Sequence, residues 1–115
     1  MSVKIYHNPR CSKSRATLAI LEDEGLDPEI IDYLQNPPDA ETLAEILQLL
    51  GRTPAELMRT GEDEYKQARD SMASMSDDEK IAWMTENPRV IERPIVVTPK
   101  GARVGRPPES IKEIL

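Results

Sequence analysis

Aromatic residues and cysteine are scarce in this chain of 115 residues, which has no Phe, one Trp, three Tyr and one Cys. A core without Phe must be built mainly from Leu, Ile, Val and Met. A single cysteine excludes a disulfide within the chain. Together with the lack of a secretion signature, it favours a reducing compartment, so we expect a cytoplasmic protein.

Further absences narrow the classes of function. The longest apolar runs have about four residues, far fewer than the roughly 20 that a membrane-spanning helix needs. No basic region precedes an apolar run at the N-terminus, so we expect no secretory signal and no membrane partner. The net charge of −6 argues against nucleic acid as a partner. One His and one Cys offer too few ligands for a metal site, so none is expected.

The order of predicted elements is β-α-β, then a helical block, then β-β-α. The first helix should run over about 12–24 and bury Ala16, Leu18, Ala19, Ile20 and Leu21. The other predictions are strands at 3–6, 29–34, 95–98 and 102–104, an irregular stretch at 61–74, and a last helix opening at Pro107-Pro108.

This order predicts an α/β protein of the thioredoxin-like plan, because that plan is β-α-β followed by β-β-α. The length is typical of one domain. We assign the thioredoxin-like core to residues 1–36 and 89–115, and a helical insertion to residues 37–88. The chain is expected to be a monomer.

Cys11 is the candidate nucleophile, since it lies in the turn before the first helix. A thiol attacks only as its thiolate, and a helix N-terminus with nearby cations lowers the pKa of a thiol. Arg10, Lys13 and Arg15 supply such cations, and Ser14 can donate a hydrogen bond to sulfur. A lone cysteine is more often a buried structural residue, but this one lies in a polar turn. No partner stands at Cys-x-x-Cys spacing, so a redox cycle needs an external thiol.

The arginines are a weaker signal. In a thioredoxin-like fold the loop before the third strand lies beside the active-site turn, and its proline is often cis, which places Arg93 opposite Cys11. Arginine donates paired hydrogen bonds to an oxyanion. Spacing alone does not select Arg59, Arg93 and Arg106 from the nine arginines, and His7 fits a structural role as well as a catalytic one.

Several motifs together resemble the glutaredoxin-coupled arsenate reductase (ArsC) family across nearly the whole chain. They are Ile5-Tyr6-His7-Asn8-Pro9-Arg10-Cys11-Ser12-Lys13-Ser14-Arg15, Tyr33-Leu34 with Pro37-Pro38, Leu57-Met58-Arg59, Glu92-Arg93-Pro94-Ile95-Val96-Val97 and Gly105-Arg106-Pro107. Ser12-Lys13 replaces the Gly-Thr typical of the well-studied enzymes, and the chain lacks their longer C-terminal tail. This pattern is similar to a short ArsC-like branch.

The resemblance implies a thioredoxin-like fold with a helical insertion and a role in arsenic detoxification. Cys11 matches the nucleophile that forms an adduct with arsenate, which glutathione and glutaredoxin then reduce. Arg59, Arg93 and Arg106 match the arginines that bind the oxyanion. His7, Asn8 and Ser14 match the polar groups around the sulfur. No bound cofactor is implied.

Two other functions stay open. A thiol oxidoreductase acting on glutathione mixed disulfides would use the same nucleophile. A regulatory binding protein like the Spx relatives of this fold, which bind RNA polymerase, belongs to a different class. Those sensors commonly use a Cys-x-x-Cys switch, and Ser14 occupies the position of the second cysteine here.

Overall fold

The computed structural model describes residues 2–115 as a mixed α/β structure. Its strands are β1 (Lys4–His7), β2 (Glu29–Asp32), β3 (Ile95–Thr98) and β4 (Gly101–Val104), and its α-helices are α1 (Ser12–Asp23), α2 (Ala40–Leu50), α3 (Asp63–Met72) and α4 (Asp77–Glu86). Three 3₁₀ helices span Ala55–Leu57, Pro88–Val90 and Pro108–Ile114. No helix among these residues is long and apolar enough to cross a membrane.

The four strands form one sheet in the order β2-β1-β3-β4. β1 pairs with β2 in parallel and with β3 in antiparallel, and β3 pairs with β4 in antiparallel. The parallel pair requires a crossover, which α1 provides. This arrangement confirms the predicted α/β, thioredoxin-like fold.

The chain divides into two compact units, residues 1–36 with 93–115 and residues 37–92. In the first unit, aliphatic side chains from the sheet, α1 and the last 3₁₀ helix form one core. They are Val3, Ile5, Leu21, Val96, Ile111 and Ile114. In the second unit α2 packs against α4, and Leu43 and Met84 are fully buried.

Helix α1 buries a different face from the one that its apolar residues predict. Ser14, Thr17 and Leu21 are buried, while Ala16 and Ala19 are exposed, so the expectation for the two alanines was wrong. Hydroxyl groups can be buried when their hydrogen bonds are made. Thr17 donates to the carbonyl of Lys13 at 2.8 Å, and Ser14 is bonded to residues before the helix.

Two segments have a secondary structure different from the one predicted. The stretch predicted as irregular contains α3, which exposes most of its surface and buries only Met72. Its acidic first turn and Arg69 in its last turn suit the helix dipole, a signal that apolar periodicity does not carry. The last helix is 3₁₀ rather than α. Its buried residues, Pro108, Ile111 and Ile114, recur every third position, the repeat that puts them on one face of a 3₁₀ helix.

Candidate active site

Cys11 is the N-cap residue of α1, with extended backbone angles of φ −95° and ψ 124°. Its backbone N–H donates to the carbonyl of Asn8 at 3.0 Å, which closes the turn that follows β1. Its carbonyl accepts the first helical hydrogen bond, from Arg15 N–H at 3.0 Å. The sulfur therefore lies where the unpaired N–H groups of a helix start are directed. The residue is partly exposed.

The net effect of these surroundings is to lower the pKa of the Cys11 thiol. Partial burial is the largest single influence and raises the pKa, but it is outweighed by the Ser14 backbone N–H, the Arg93 side chain and the Lys13 backbone N–H. Neither N–H meets the geometry of a capping hydrogen bond to the side chain. They act mainly as aligned dipoles that favour the charged sulfur. The thiolate is therefore more populated at neutral pH than that of an ordinary cysteine.

Two arginines from the distant end of the chain reach the sulfur. Nη2 of Arg106 lies 3.5 Å from Sγ of Cys11, and the Arg93 guanidinium also interacts with the thiol. Nε of Arg106 donates to the backbone carbonyl of Arg93 at 2.8 Å, which ties the two residues together. Both Arg93–Pro94 and Arg106–Pro107 are cis peptides. The predicted placement of Arg93 opposite Cys11 is observed.

Gly105 allows these two arginine-bearing loops to approach α1. Its N–H donates to the carbonyl of Pro94 at 2.9 Å. A Cβ at this position would overlap Oγ1 of Thr17 and come within 2.8 Å of Pro94 Cγ. The absence of a side chain thus lets the end of β4, Pro94 and α1 pack together. In the sequence Gly105 stands out only as part of the Gly105-Arg106-Pro107 motif. Its packing role could not be predicted, because nothing in the local sequence shows which side chains face it.

His7, Asn8 and Ser14 form a buried polar cluster behind the nucleophile. Nδ1 of His7 is hydrogen-bonded to Oγ of Ser14 at 2.7 Å, and the Asn8 N–H donates to the same oxygen at 3.0 Å. The Ser14 hydroxyl was expected to bind the sulfur. It is hydrogen-bonded to His7 and Asn8 instead, and the backbone N–H of Ser14 is the group that acts on Cys11. The cluster fixes the first turn of α1 against the end of β1.

Burial lowers the pKa of His7, opposed by the nearby Asp32 carboxylate and reinforced by the Arg15 guanidinium. The ring is therefore neutral at neutral pH. Asp32 stands opposite His7 in the parallel β1–β2 register. It was not picked out from the sequence, although the predicted β-α-β pairing would have placed it near His7.

The cations next to Cys11 in sequence play a smaller part than expected. Arg15 donates from Nη1 to the carbonyl of Pro9 at 2.8 Å, across the turn. Lys13 influences the sulfur through its backbone N–H. The guanidinium groups that act on the thiol come from Arg93 and Arg106.

Arg59 belongs to the second unit. Its backbone N–H donates to Val90 O at 2.7 Å, beside an antiparallel bridge between Met58 and Ile91. Nε lies 3.7 Å from a carboxylate oxygen of Glu62, and Nη1 lies 4.0 Å from one of Glu92. Among residues 2–115, this buried Nη1 has no hydrogen-bond partner.

The geometry at Cys11 combines a nucleophile with an anion site. Helix N–H groups and guanidinium groups stabilise a thiolate, and the same donors suit a tetrahedral oxyanion that the thiolate attacks. An arrangement of this kind favours attack by sulfur on an anionic centre.

The chain matches the family described as the ArsC family over residues 6–114. It is 52% identical to the uncharacterised protein YfgD of Escherichia coli K12, over 98% of this chain and 96% of that protein. It is 41% identical to an arsenate reductase of Neisseria meningitidis serogroup B, over 98% of this chain and 97% of that enzyme. The solved structure of an arsenate reductase from Vibrio cholerae is 50% identical, with a TM-score of 0.94 over 100% of this chain and 98% of that one.

The family match spans nearly the whole sequence, includes Cys11, Arg93 and Arg106, and accompanies a fold shared with solved arsenate reductases. The chain belongs to the ArsC family.

Proposed function

We propose that this protein reduces arsenate to arsenite, with Cys11 as the nucleophile and glutathione with glutaredoxin as the reductant. The observation that carries the proposal is the partly exposed thiol, of lowered pKa, held between the start of α1 and the guanidinium groups of Arg93 and Arg106. Relatives named arsenate reductase support the same substrate.

The first step exchanges oxygen for sulfur at arsenic. The Cys11 thiolate attacks As(V) and forms an S–As bond, while one arsenate oxygen leaves as hydroxide and is protonated to water. Arg93 and Arg106 bind the remaining oxygens, whose charge suits paired guanidinium hydrogen bonds. The family resemblance assigns Arg59 to the same task, and among residues 2–115 its buried Nη1 makes no hydrogen bond. Arsenic is still As(V) at this stage, because no external thiol has yet donated electrons.

External thiols supply the two electrons of the reduction. Two thiols become one disulfide as As(V) becomes As(III), and the S–As bond to Cys11 breaks so that arsenite leaves. An external donor is required because Cys11 is the only cysteine. Glutathione is the proposed donor, and glutaredoxin the proposed partner that reduces the resulting disulfide.

Arsenite formation by the purified protein, with arsenate, glutathione and glutaredoxin, tests this function. We expect turnover that depends on all three and is lost in Cys11→Ser. Arg106→Ala should lower kcat/KM for arsenate about 10- to 100-fold, because a hydrogen bond to a charged group contributes about 1.5–3 kcal/mol. Arg52→Ala, an exposed arginine of the second unit, is the matched control. Reduction of glutathione mixed disulfides without any arsenite formation would contradict the proposal and favour a thiol oxidoreductase.

A further inference from the structure

An open groove of about 290 Å³ lies beside the turn that carries Cys11. It is formed entirely by residues of the first unit. They are Asn8, Pro9, Arg10, Asp32, Leu34 and Gln35. Its volume is close to the lower end of the range for small-molecule sites, about 300–1,000 Å³, and exceeds what a tetrahedral oxyanion needs. The attack on arsenate makes no use of it.

The groove carries one charge of each sign. Within residues 2–115, the guanidinium of Arg10 has neither a hydrogen-bond nor an ion-pair partner. The Asp32 carboxylate accepts a hydrogen bond from Leu34 N–H at 3.2 Å through one oxygen. The two side chains do not pair with each other. A ligand that carries both a carboxylate and an ammonium group would find a complementary partner for each.

The chain order places this groove within reach of the nucleophile. Arg10 directly precedes Cys11, so their Cα atoms are about 3.8 Å apart. A tripeptide in extended form spans about 10 Å. A small thiol whose amino-acid head occupies the groove can therefore bring its sulfur to Sγ of Cys11.

We propose that this groove binds the α-amino-acid head of the small thiol that reacts with Cys11, with Arg10 on the carboxylate and Asp32 on the ammonium group. Gln35 offers an amide for further hydrogen bonds, and Leu34 an apolar wall. The inference rests on the proposed function, because that function requires an external thiol. It adds where this thiol binds and that the protein recognises its amino-acid head.

Oxidised glutathione serves as the probe, because its reaction with Cys11 needs no arsenate. The Cys11 thiolate attacks one sulfur of the disulfide, a new S–S bond forms, and one glutathione leaves as thiolate. The rate of mixed-disulfide formation is measured by mass spectrometry. It is divided by the rate with 2-hydroxyethyl disulfide, which lacks both charges. This ratio cancels any change in the reactivity of the thiolate itself.

We expect Arg10→Ala and Asp32→Asn each to lower the ratio about fivefold, in keeping with charge-assisted hydrogen bonds at a partly exposed site. Arg52→Ala and Asp27→Asn, which remove exposed charges outside the groove, should leave it unchanged. Asp32→Asn should also abolish any preference for glutathione disulfide over its N-acetylated form.

The amino-acid head can come from free glutathione or from a glutathionyl group bound to another protein, and a peptide with a glutathionylated cysteine distinguishes these two sources. If Arg10→Ala and Asp32→Asn lower the ratio measured with this peptide as much as the ratio measured with the free disulfide, the groove also accepts a protein-bound glutathionyl group.

Equal ratios in wild type and both groove variants would overturn the proposal. Failure of the proposed function is a separate result, since absence of arsenite formation together with a ratio that depends on Arg10 and Asp32 would contradict arsenate reduction alone.

Discussion

The reactivity of Cys11 depends on single residues that reach it from two ends of the chain. The backbone N–H groups of Lys13 and Ser14 come from the helix that the cysteine itself begins, whereas Arg93 and Arg106 come from loops about eighty and ninety-five residues later. The local contribution could be inferred from the turn and helix signals. The arginine contribution required knowledge of which loops meet. The thioredoxin-like plan supplied it for Arg93 and the resemblance to a family supplied it for Arg106, whereas spacing alone supplied neither.

A measurement of the pKa of Cys11 tests these local and long-range contributions. The rate of alkylation by iodoacetamide against pH should give an apparent pKa below that of an ordinary thiol, about 8.5, because the dipoles and cations outweigh burial. Arg93→Ala should raise the pKa and slow alkylation at neutral pH, since one favourable charge is removed. The pKa in Arg52→Ala should equal that of the wild type. A thiol that titrates at the ordinary value would contradict the electrostatic account of the site.

His7 makes folding stability depend on pH. Its pKa is lowered in the folded protein by burial, so between that value and the ordinary pKa of about 6.5 the unfolded chain holds a proton that the folded chain does not. The stabilisation is therefore complete above about pH 6.5 and is lost as the pH falls below it.

Urea denaturation near pH 7.5 and near pH 5.5 measures this effect, the two values lying on either side of the ordinary histidine pKa of about 6.5. We expect the free energy of unfolding to decrease at the lower pH, and the decrease to be smaller in His7→Asn. An equal decrease in both proteins would show that the pH dependence arises elsewhere.

At the scale of elements, helix ends depend on capping signals that are local in the sequence. A capping box of Ser76 and Glu79 starts α4, and Gly51 ends α2 in the left-handed conformation, with φ 68°. Helix α3 was missed, because its residues are polar on most faces and only its charge distribution favours a helix. The buried face of α1 was misassigned, because its hydroxyls are satisfied by partners outside the helix.

The packing of β4, the Pro94 loop and α1 gives an element-scale prediction. Gly105→Ala should destabilise the protein by about 1–3 kcal/mol, the usual cost of overpacking, because the new methyl group overlaps Thr17 and Pro94. Gly61→Ala is a matched control, since a Cβ there meets nothing within 4 Å. The free energy of unfolding in urea provides the measurement. A stability loss in Gly61→Ala as large as in Gly105→Ala would contradict the packing argument.

For the whole molecule, the single cysteine limits what oxidation can do. A disulfide stabilises a chain mainly by restricting its unfolded state through loop closure, and Cys11 has no second thiol with which to close a loop. Disulfide formation at Cys11 should therefore give only mixed disulfides or disulfide-linked pairs of chains, both of which a thiol reductant reverses.

We expect the free energy of unfolding of the monomeric, glutathionylated protein to lack the roughly 2–4 kcal/mol that a loop-closing disulfide contributes. Urea denaturation of that form, purified away from linked pairs, is the measurement, with Cys11→Ser as the control for the absence of a thiol. A gain of that size on oxidation would contradict the expectation.

The sequence by itself determined the β-α-β and β-β-α order, the thioredoxin-like class and the position of Cys11 at a helix start. These depend on residues close together in the chain, whose periodicity, caps and turns act locally. Only the tertiary structure decided that Arg106 touches the sulfur, that Ser14 turns its hydroxyl to His7 and that Gly105 must lack a side chain. Each of these contacts joins residues from different elements, and their geometry is set by how the sheet and α1 pack.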